Sequence, residues 1–411
     1  MGDLFTTLEA MQLLHSADQA VAVVLGLSPT GLYVVRELGR AGIPVVGVSA
    51  ELQCGGWSRY LQGSIREPSE DLRLAKLMRF GEEASRQSVL IAASDQDIDF
   101  VIRHAKSLSQ YFKIQASYLD GVAERLMTKS SLYQLSSKFG IPTPRYVEVD
   151  RDEIQLRMND LTYPCLIKPS RIDAVKREMA GRKLWILRTP SELLDLESSL
   201  PVGDTTWILQ ELIPGPESEI TLYASHFDAD GEPRQAITCR KLRQFPPGFG
   251  SASLVRSKLE TETRSVSEAF LKHVGYRGIV ATEFKRDPRD GKLKLIEINP
   301  RPSLWFSVTS AARKSISLAA YRDMSGLTPL NEECQTDDVE WRYGPKDMYS
   351  NIFYRWSKTF PLPRPDLDSL AAPARRVYPV LAPDDPLPAL EEVFGFARKI
   401  VSRAVRKRPT K

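Results

Sequence analysis

The hydrophobic and polar positions of residues 20–115 alternate between two patterns. Short apolar runs of strand length are separated by stretches in which apolar residues recur at helical spacing. The predicted strands cover residues 20–27, 43–48 and 89–93, and the predicted helices cover residues 31–40, 71–80 and 97–107. Continuous apolar strands separated by helices predict a parallel sheet covered on both faces. We therefore expect a doubly wound α/β domain over residues 1–118.

The pattern changes after residue 118. A helix is predicted over residues 124–139, with Gly140 as its cap, because the prolines that follow cannot continue it. Strands then dominate a mixed α+β region, at residues 165–168, 184–187, 206–210, 220–224, 235–240, 278–284 and 294–298. An acidic stretch near residue 335 predicts the start of a C-terminal extension, residues 331–411, that ends in a basic amphipathic helix.

Composition narrows the class of protein. The chain has 411 residues, of which 42% are hydrophobic and 26% charged, as in ordinary globular proteins. A net charge of +4 does not predict a nucleic-acid partner. The four cysteines are far apart, so neither a zinc site nor a disulfide framework is expected. Reduced thiols and the absence of a recognisable secretory signal predict a cytoplasmic location.

Two acids and an amide near residue 290 form the most informative pattern. Glu297 and Asn299 are two residues apart on a predicted strand, so they face the same side. A turn at residues 286–291 joins this strand to another that carries Glu283. Oxygen ligands of this kind suit Mg²⁺, and Arg301 just beyond can hold a phosphate or carboxylate. The alternative, two ordinary solvent-facing acids, is disfavoured by the interleaved apolar residues.

Three further segments indicate an anionic ligand. Lys168 ends an apolar run, where an unpaired ammonium is costly to bury; a bound phosphate would pair with it, and the alternative is a lysine that reaches solvent. Residues 207–216 join a strand to a Pro-Gly break and could line a flat base. The cations Lys241 and Arg243 precede a Pro/Gly-rich segment and could close over a triphosphate, although a solvated basic loop is the alternative.

Together these segments resemble the ATP-grasp superfamily, and within it the carboxylate–amine ligases related to D-aspartate ligase. The resemblance rests on the order of the motifs over residues 20–330, including Ser58-Arg59-Tyr60, Ser94-Asp95 and Thr128-Lys129. It implies an N-terminal domain followed by a small ATP-grasp subdomain, residues 119–202, and a large one, residues 203–330. ATP would bind between these two subdomains.

The resemblance also implies a role for each motif. The residues expected to bind ATP are Lys129 and Lys168 at the phosphates, Gln210, Glu211, Leu212 and Ile213 at the adenine, and Glu219 at the ribose. The expected Mg²⁺ ligands are Glu283, Glu297 and Asn299, with two ions bound and Mn²⁺ as a substitute. Arg301, Lys241 and Arg243 would stabilise the transition state, and Arg59 and Asp95, near expected strand ends, would bind substrate.

The reaction expected from the resemblance joins a carboxylate to an amine through an acyl phosphate and releases ADP and phosphate. Both substrates would be small and amino-acid-like, and a homodimer is left open. One departure concerns the loop at residues 170–182, which has a single glycine where many relatives have several.

Two alternatives remain at this stage. An ATP-binding regulatory or kinase-like module would share every ATP residue. An NAD(P)-dependent oxidoreductase could use the turn at residues 26–31, although the acid usually found after the second strand is missing. For the basic C-terminal helix, packing on the body of the protein is favoured over contact with an acidic lipid surface.

Overall fold

A computed structural model describes residues 19–170, 184–201, 205–357, 360–368 and 370–394. It contains three sheets, of five, four and seven strands. The loop expected at residues 170–182 lies outside the described residues except for its first residue. Of the expected C-terminal helix, residues 387–394 are described and are helical. Within the described part of the chain, no helix combines the length and apolarity needed to cross a membrane.

The N-terminal domain is a parallel five-stranded sheet in the order β3-β2-β1-β4-β5. Its strands are β1 Ala22–Leu25, β2 Val45–Ser49, β3 Gly63–Arg66, β4 Ser88–Ala92 and β5 Phe112–Lys113. Its helices are α1 Pro29–Arg40, α2 Glu70–Glu83, α3 Asp95–Arg103 and α4 Ala105–Leu108. Separate apolar clusters cover the two faces of the sheet, so the predicted doubly wound α/β fold is confirmed. Strand β3 was not predicted, because its Gly-Ser-Ile-Arg sequence has no apolar run.

The second sheet is antiparallel, in the order β6-β9-β7-β8. Its strands are β6 Tyr146–Val149, β7 Cys165–Pro169, β8 Trp185–Leu187 and β9 Trp207–Glu211. The associated helices are α5 Val122–Met127, α6 Lys129–Lys138, α7 Ile154–Arg157 and α8 Pro190–Glu197. The single helix expected over residues 124–139 is two helices, because Thr128 has an extended backbone. Strand β9 belongs to this sheet, so the small subdomain continues beyond the expected boundary at residue 202.

The largest sheet has the order β14-β13-β10-β11-β12-β15-β16. Its strands are β10 Ile220–Phe227, β11 Pro233–Phe245, β12 Ser251–Ser257, β13 Gly278–Arg286, β14 Leu293–Asn299, β15 Val339–Arg342 and β16 Arg375–Val377. The helices of this region are α9 Thr261–His273, α10 Ser307–Ala311, α11 Ile316–Met324 and α12 Gly344–Trp356. Short 3₁₀ turns lie at Cys54–Trp57, Ala116–Tyr118, Arg151–Glu153 and Glu217–Glu219.

The strand expected over residues 235–240 is longer than predicted. Lys241 and Arg243 do not lie in a loop, because β11 continues through them to Phe245. The C-terminal extension contributes to the large sheet, since β15 pairs with β12 and β16 extends the same sheet. An acidic, proline-rich sequence thus adds two short strands, of which β16 is the edge strand, and its composition does not reveal them.

The two faces of the large sheet pack against different partners. One face packs with helices α5, α6 and α9. The other face, which carries Ile279 and Ala281, shares an apolar cluster with strand β1 and helix α1 of the N-terminal domain. Because side chains alternate along a strand, Glu283 faces the same side as Ala281. The fold therefore directs the predicted metal ligands toward the N-terminal domain.

Candidate functional site

The hairpin of β13 and β14 brings the predicted metal ligands together. Its turn is closed by Asp287, whose N–H donates to the Lys292 carbonyl at 2.9 Å. Glu283 pairs directly with Glu297 across the two strands, and Ala281 pairs with Asn299. The amide of Asn299 donates to a Glu297 carboxylate oxygen at 2.8 Å. The two carboxylates and the amide therefore lie on one face of the hairpin, as the sequence predicts.

A β-bulge on β14 connects this hairpin to helix α6. Glu283 pairs with Glu297 and Phe284 with Leu295, so Ile296 has no opposite residue. The Ile296 carbonyl accepts a hydrogen bond from the ammonium of Lys129 at 3.2 Å. The same ammonium lies 3.7 Å from a Glu297 oxygen. Bulges commonly redirect groups beside functional sites, and this one holds a predicted phosphate lysine next to a predicted metal ligand.

Arg301 extends the polar chain to the N-terminal domain. Its guanidinium makes two hydrogen bonds with the Asp95 carboxylate, at 2.7 and 2.9 Å. A third, longer hydrogen bond of 3.3 Å reaches the Asn299 side-chain oxygen. Asp95 lies in the first turn of α3, immediately beyond the carboxyl end of β4. Charges from two domains thus meet where a substrate could lie against the metal ligands.

Lys241 and Glu283 form a largely buried ion pair. Both Glu283 oxygens lie 2.6 Å from the Lys241 ammonium, and the side chains are 15% and 5% exposed, respectively. The Gln244 side-chain oxygen accepts another hydrogen bond from the same ammonium at 3.2 Å. The negative charge of Glu283 at the predicted metal site is therefore compensated by the Lys241 ammonium.

Lys168 projects from β7 on the small sheet. Its ammonium donates to the Gln210 side-chain oxygen at 2.6 Å, and the Tyr133 hydroxyl donates to the same oxygen at 2.8 Å. Burial, and then the nearby charge of Lys129, lowers the pKa of Lys168 to about 7, against a smaller opposing effect of Glu297. Two lysines whose charges destabilise each other are the arrangement expected at a polyphosphate site.

The expected adenine-lining segment has one residue with a different role. Gln210, Leu212 and Ile213 are buried at the end of β9. Glu211 is also buried, but its carboxylate accepts from Lys294 at 3.0 Å and from Arg289 at 2.8 Å. The Glu211 side chain therefore connects β9 to the β13–β14 hairpin. The expectation that Glu211 lines the adenine is wrong for its carboxylate, which is engaged by these two cations.

Lys285 holds the chain that follows this segment. Its ammonium donates to the carbonyls of Ile213 and Gly215, at 2.9 and 2.8 Å. Burial lowers its pKa to about 8, an effect that the acids Glu217 and Glu219 oppose. Glu219, the expected ribose ligand, ends a 3₁₀ turn near this ammonium and is partly exposed.

Arg243 is engaged by the C-terminal extension. Its guanidinium makes two hydrogen bonds with the Asp347 carboxylate, at 2.7 and 2.8 Å; the Asp347 side chain is buried, and the Arg243 side chain is 12% exposed. Asp347 lies in the first turn of α12. The described contacts therefore give Arg243 a part in anchoring α12, whereas the catalytic role expected for it rests on the resemblance alone.

The structure separates the two residues expected to bind substrate. Asp95 lies just beyond the carboxyl end of β4, whereas Arg59 comes shortly before the amino end of β3. That end of β3 lies beside the amino end of β2, because the Gln62 N–H donates to the Val45 carbonyl. The Arg59 backbone N–H donates to the Asp385 carboxylate at 2.9 Å. The expectation that Arg59 lies near the carboxyl ends of the strands is wrong. A 3₁₀ turn between β2 and Arg59 is followed by a segment that leads back to the amino ends of the strands.

Several residues near the site were not singled out from the sequence. Tyr133 lies four residues after Lys129 on α6, a helical spacing that could have revealed it. Lys285 and Asp347 have no comparable signal, because their partners lie on distant elements. Gln244 accepts from Lys241, three residues earlier on the same strand, and was missed although its partner is local.

The oxygen ligands of the site suit Mg²⁺, and the two lysines beside them suit the phosphates of ATP. Two carboxylates and an amide oxygen are hard ligands of the type Mg²⁺ prefers. Across the described residues, no cluster of three or more His, Cys, Asp or Glu side chains suited to a metal is present, so Asn299 and substrate phosphates would have to complete the set. Lys129 and Lys168 would supply the positive charge for those phosphates.

The glycine turn of the N-terminal domain does not fit a dinucleotide. Gly26 has a φ of 82°, and a side chain at Gly31 would collide with the Gly26 carbonyl, so both glycines serve the close approach of α1 to β1. The Asp97 carboxylate lies directly over Gly26. A negative group there would repel a pyrophosphate, which argues against the oxidoreductase alternative.

Known proteins resemble this chain in fold and, over part of its length, in sequence. No protein-family model matches the chain. D-aspartate ligase of Enterococcus faecium (strain Aus0004) is 29% identical over 242 residues, which are 56% of this chain and 56% of that protein. The chain thus aligns with little more than half the length of this relative.

Solved structures share the fold. N5-carboxyaminoimidazole ribonucleotide synthetase in its ADP complex superposes with a TM-score of 0.60 at 14% identity, over 77% of this chain and 79% of that one. L-amino acid ligase from Bacillus licheniformis superposes with a TM-score of 0.56 at 16% identity, over 77% and 76%. These structures show that the chain shares their fold, and over the aligned 242 residues its sequence is similar to that of a D-aspartate ligase.

Proposed function

We propose, from an ATP-grasp fold with this set of side chains, that the protein is an ATP- and Mg²⁺-dependent ligase that joins a carboxylate to an amine. The observation that carries the proposal is the convergence of Lys129 and Lys168 with Glu297 and Asn299. Cations from the small subdomain thereby lie close to oxygen ligands from the large sheet. This is the distribution of charge that a metal-bound triphosphate requires.

The proposed reaction has two steps. In the first, a substrate carboxylate oxygen attacks the γ-phosphorus of ATP, and the bond to the ADP oxygen breaks. The resulting acyl phosphate has a good leaving group where the free carboxylate has none. In the second, the amine attacks the acyl carbon, phosphate leaves with the bonding electrons, and the amine nitrogen loses a proton. The products are an amide, ADP and phosphate.

The chain's residues act mainly by position and charge. Lys129 and Lys168 would hold the phosphates, and Glu297 and Asn299 would hold Mg²⁺, with Glu283 completing the set. Bound magnesium neutralises phosphate oxygens and favours in-line transfer. Lys241 and Arg301 would stabilise charge that develops on the transferred group.

The substrate classes follow from the relatives' names and from Asp95 and Arg301. The relatives reported above are named for D-aspartate and for L-amino acids. We therefore extend the proposal to small amino-acid-like substrates. The carboxylate of Asp95 and the guanidinium of Arg301 present both charges at the site and suit a zwitterion. A cytoplasmic location, where free thiols such as Cys54 persist, completes the proposal.

The test is ADP release with a panel of amino acids and small acids, offered singly and in pairs. We expect turnover that requires a carboxylate and an amine together, with an amide detected by mass spectrometry. Lys129→Met should abolish it, whereas Lys138→Met, at the exposed far end of the same helix, should not. ADP release with a phosphorylated product and no amide would support the kinase-like alternative. Nucleotide binding without turnover on a broad panel would support the regulatory one.

A further inference from the structure

An apolar cluster links the C-terminal extension to the small sheet. Leu166 of β7, Leu212 after β9 and Leu362 of the extension are each less than 10% exposed and form one buried group. Phe249 and Phe360 pack against this group. A segment that follows the whole ATP-grasp region in sequence thus returns to the small subdomain.

The cluster lies on the face of the small sheet that carries the phosphate lysine. Leu166 and Lys168 are two residues apart on β7, so their side chains project from the same face. Gln210 pairs with Leu166 across the strands and contacts the Lys168 ammonium. On this face, the polar groups of Lys168 and Gln210 therefore lie next to the apolar cluster that begins at Leu166, two residues away along β7.

This polarity matches the two ends of a nucleotide. Two residues along a strand span roughly 7 Å, which is about the separation of a base from the phosphates of an extended nucleotide. Flat bases bind between apolar side chains, with few polar groups fixing their orientation. With phosphates at Lys168, the base would lie toward Leu166 and Leu212, where Leu362 closes the cleft.

The extension is held firmly at this point. The Phe360 ring packs edge-on against Phe353 of α12, with ring centroids 5.2 Å apart. A side chain at Gly248 would collide with Phe360, so the segment before β12 lies close against the ring. The Gly248 N–H donates to the buried Glu217 carboxylate. Leu362 and Phe360 are therefore fixed to both the large subdomain and α12.

We propose that Phe360 and Leu362 form the outer wall of the base-binding end of the nucleotide cleft, so that the C-terminal extension is part of the nucleotide site. The inference rests on the proposed function, because it needs ATP in this cleft. It adds residues that the motif order over residues 20–330 does not include.

The test compares two ligands that share phosphates but differ in the base. Binding of ADP and of inorganic tripolyphosphate, each with Mg²⁺, is measured by calorimetry on full-length protein. Leu362→Ala should weaken ADP binding roughly tenfold, because it removes apolar contact with the base, and should leave tripolyphosphate binding unchanged. Leu381→Ala, an exposed leucine of the same extension, is the matched control and should change neither.

Each outcome decides one claim. Wild-type protein that binds neither ligand overturns the proposed function itself. Wild-type binding with unchanged or tighter ADP binding in Leu362→Ala overturns the wall and leaves the proposed function intact. Equal weakening of both ligands also overturns it, since that indicates general damage. If Leu362→Ala does not fold, Leu362→Met and Phe360→Leu replace it, because they keep most of the apolar volume. These variants must also weaken ADP binding while leaving tripolyphosphate binding unchanged.

Discussion

The guanidinium of Arg301 and the carboxylate of Asp95 form two hydrogen bonds, at 2.7 and 2.9 Å, although 206 residues separate them. Arg301 follows the strand of the predicted metal ligands, and Asp95 begins a helix of the N-terminal domain. The pair fixes the position of a cation beside Asn299. The N-terminal domain therefore contributes a charge to the candidate site.

Replacing Asp95 by asparagine should raise the KM of the amino-acid-like substrate by about tenfold, because Arg301 loses a charged partner that orients it. The affinity for ATP should stay within about twofold, since the phosphate lysines are untouched. Steady-state kinetics and direct ATP binding measure the two quantities. The control is Asp71→Asn, which changes an exposed first-turn acid of the same domain. Lower ATP affinity with an unchanged substrate KM would show that the assignment of Asp95 is wrong.

Glu297→Gln should separate catalysis from stability. The Glu297 side chain is 43% exposed, and its ammonium neighbour Lys129 is 3.7 Å away, so losing the charge should change the free energy of unfolding by less than about 1 kcal/mol. Turnover should fall at least ~100-fold, the usual size of losing one electrostatic contact to a transition state. Excess Mg²⁺ should restore activity only in part. A less stable variant with nearly normal turnover would instead identify Glu297 as a structural residue.

Glu283→Gln should behave differently, because Glu283 neutralises a buried lysine. Removing its charge leaves the Lys241 ammonium, 5% exposed, with only the Gln244 oxygen and a neutral amide. Breaking a buried pair in this way costs about 3–5 kcal/mol. Urea unfolding without ligands should show this loss for Glu283→Gln and not for Glu297→Gln. Equal unfolding curves for the two variants would contradict the structural part given to Glu283.

Nucleotide binding should weaken as the pH rises above neutrality. Burial and Lys129 lower the pKa of Lys168 to about 7, so the free protein loses this positive charge as the pH rises through that value. Phosphate binding then requires proton uptake, and ADP affinity should fall roughly tenfold between about pH 7 and pH 8.5. In Lys168→Arg the charge persists, so the same titration should be nearly flat. A wild-type affinity independent of pH over this range would contradict the assignment.

Much of the fold and part of the candidate site could be predicted from local sequence patterns. Strands β1, β2 and β4 of the N-terminal domain were predictable because each lies in a mainly apolar run, and the β13–β14 hairpin because Asp287 and Gly291 form its turn. That turn sets the register as far as the pair Phe284 and Leu295, and the bulge at Ile296 then places Glu283 opposite Glu297. The sequence was therefore sufficient to predict the hairpin and its turn, but not the bulge that aligns the two glutamates.

Contacts between distant elements were beyond the same reasoning. Nothing local indicates that Asp347 binds Arg243, since 104 residues and four intervening strands separate them. Arg59 was misplaced because the 3₁₀ turn before it reverses the chain without an apolar pattern. The Ile296 bulge, which gives Lys129 a carbonyl partner, depends on strand register rather than on residue type.

The most direct test of the central claim follows an oxygen atom. The acyl-phosphate route transfers one oxygen of the substrate carboxylate to the released phosphate, because that oxygen bridges carbon and phosphorus in the intermediate. A carboxylate substrate from the ADP-release panel is labelled with ¹⁸O, and the phosphate formed in the presence of the amine is analysed by ³¹P NMR. We expect one ¹⁸O in the phosphate for each amide formed. Amide formation with unlabelled phosphate would contradict the proposed mechanism, and phosphate release without any amide would contradict the ligase assignment.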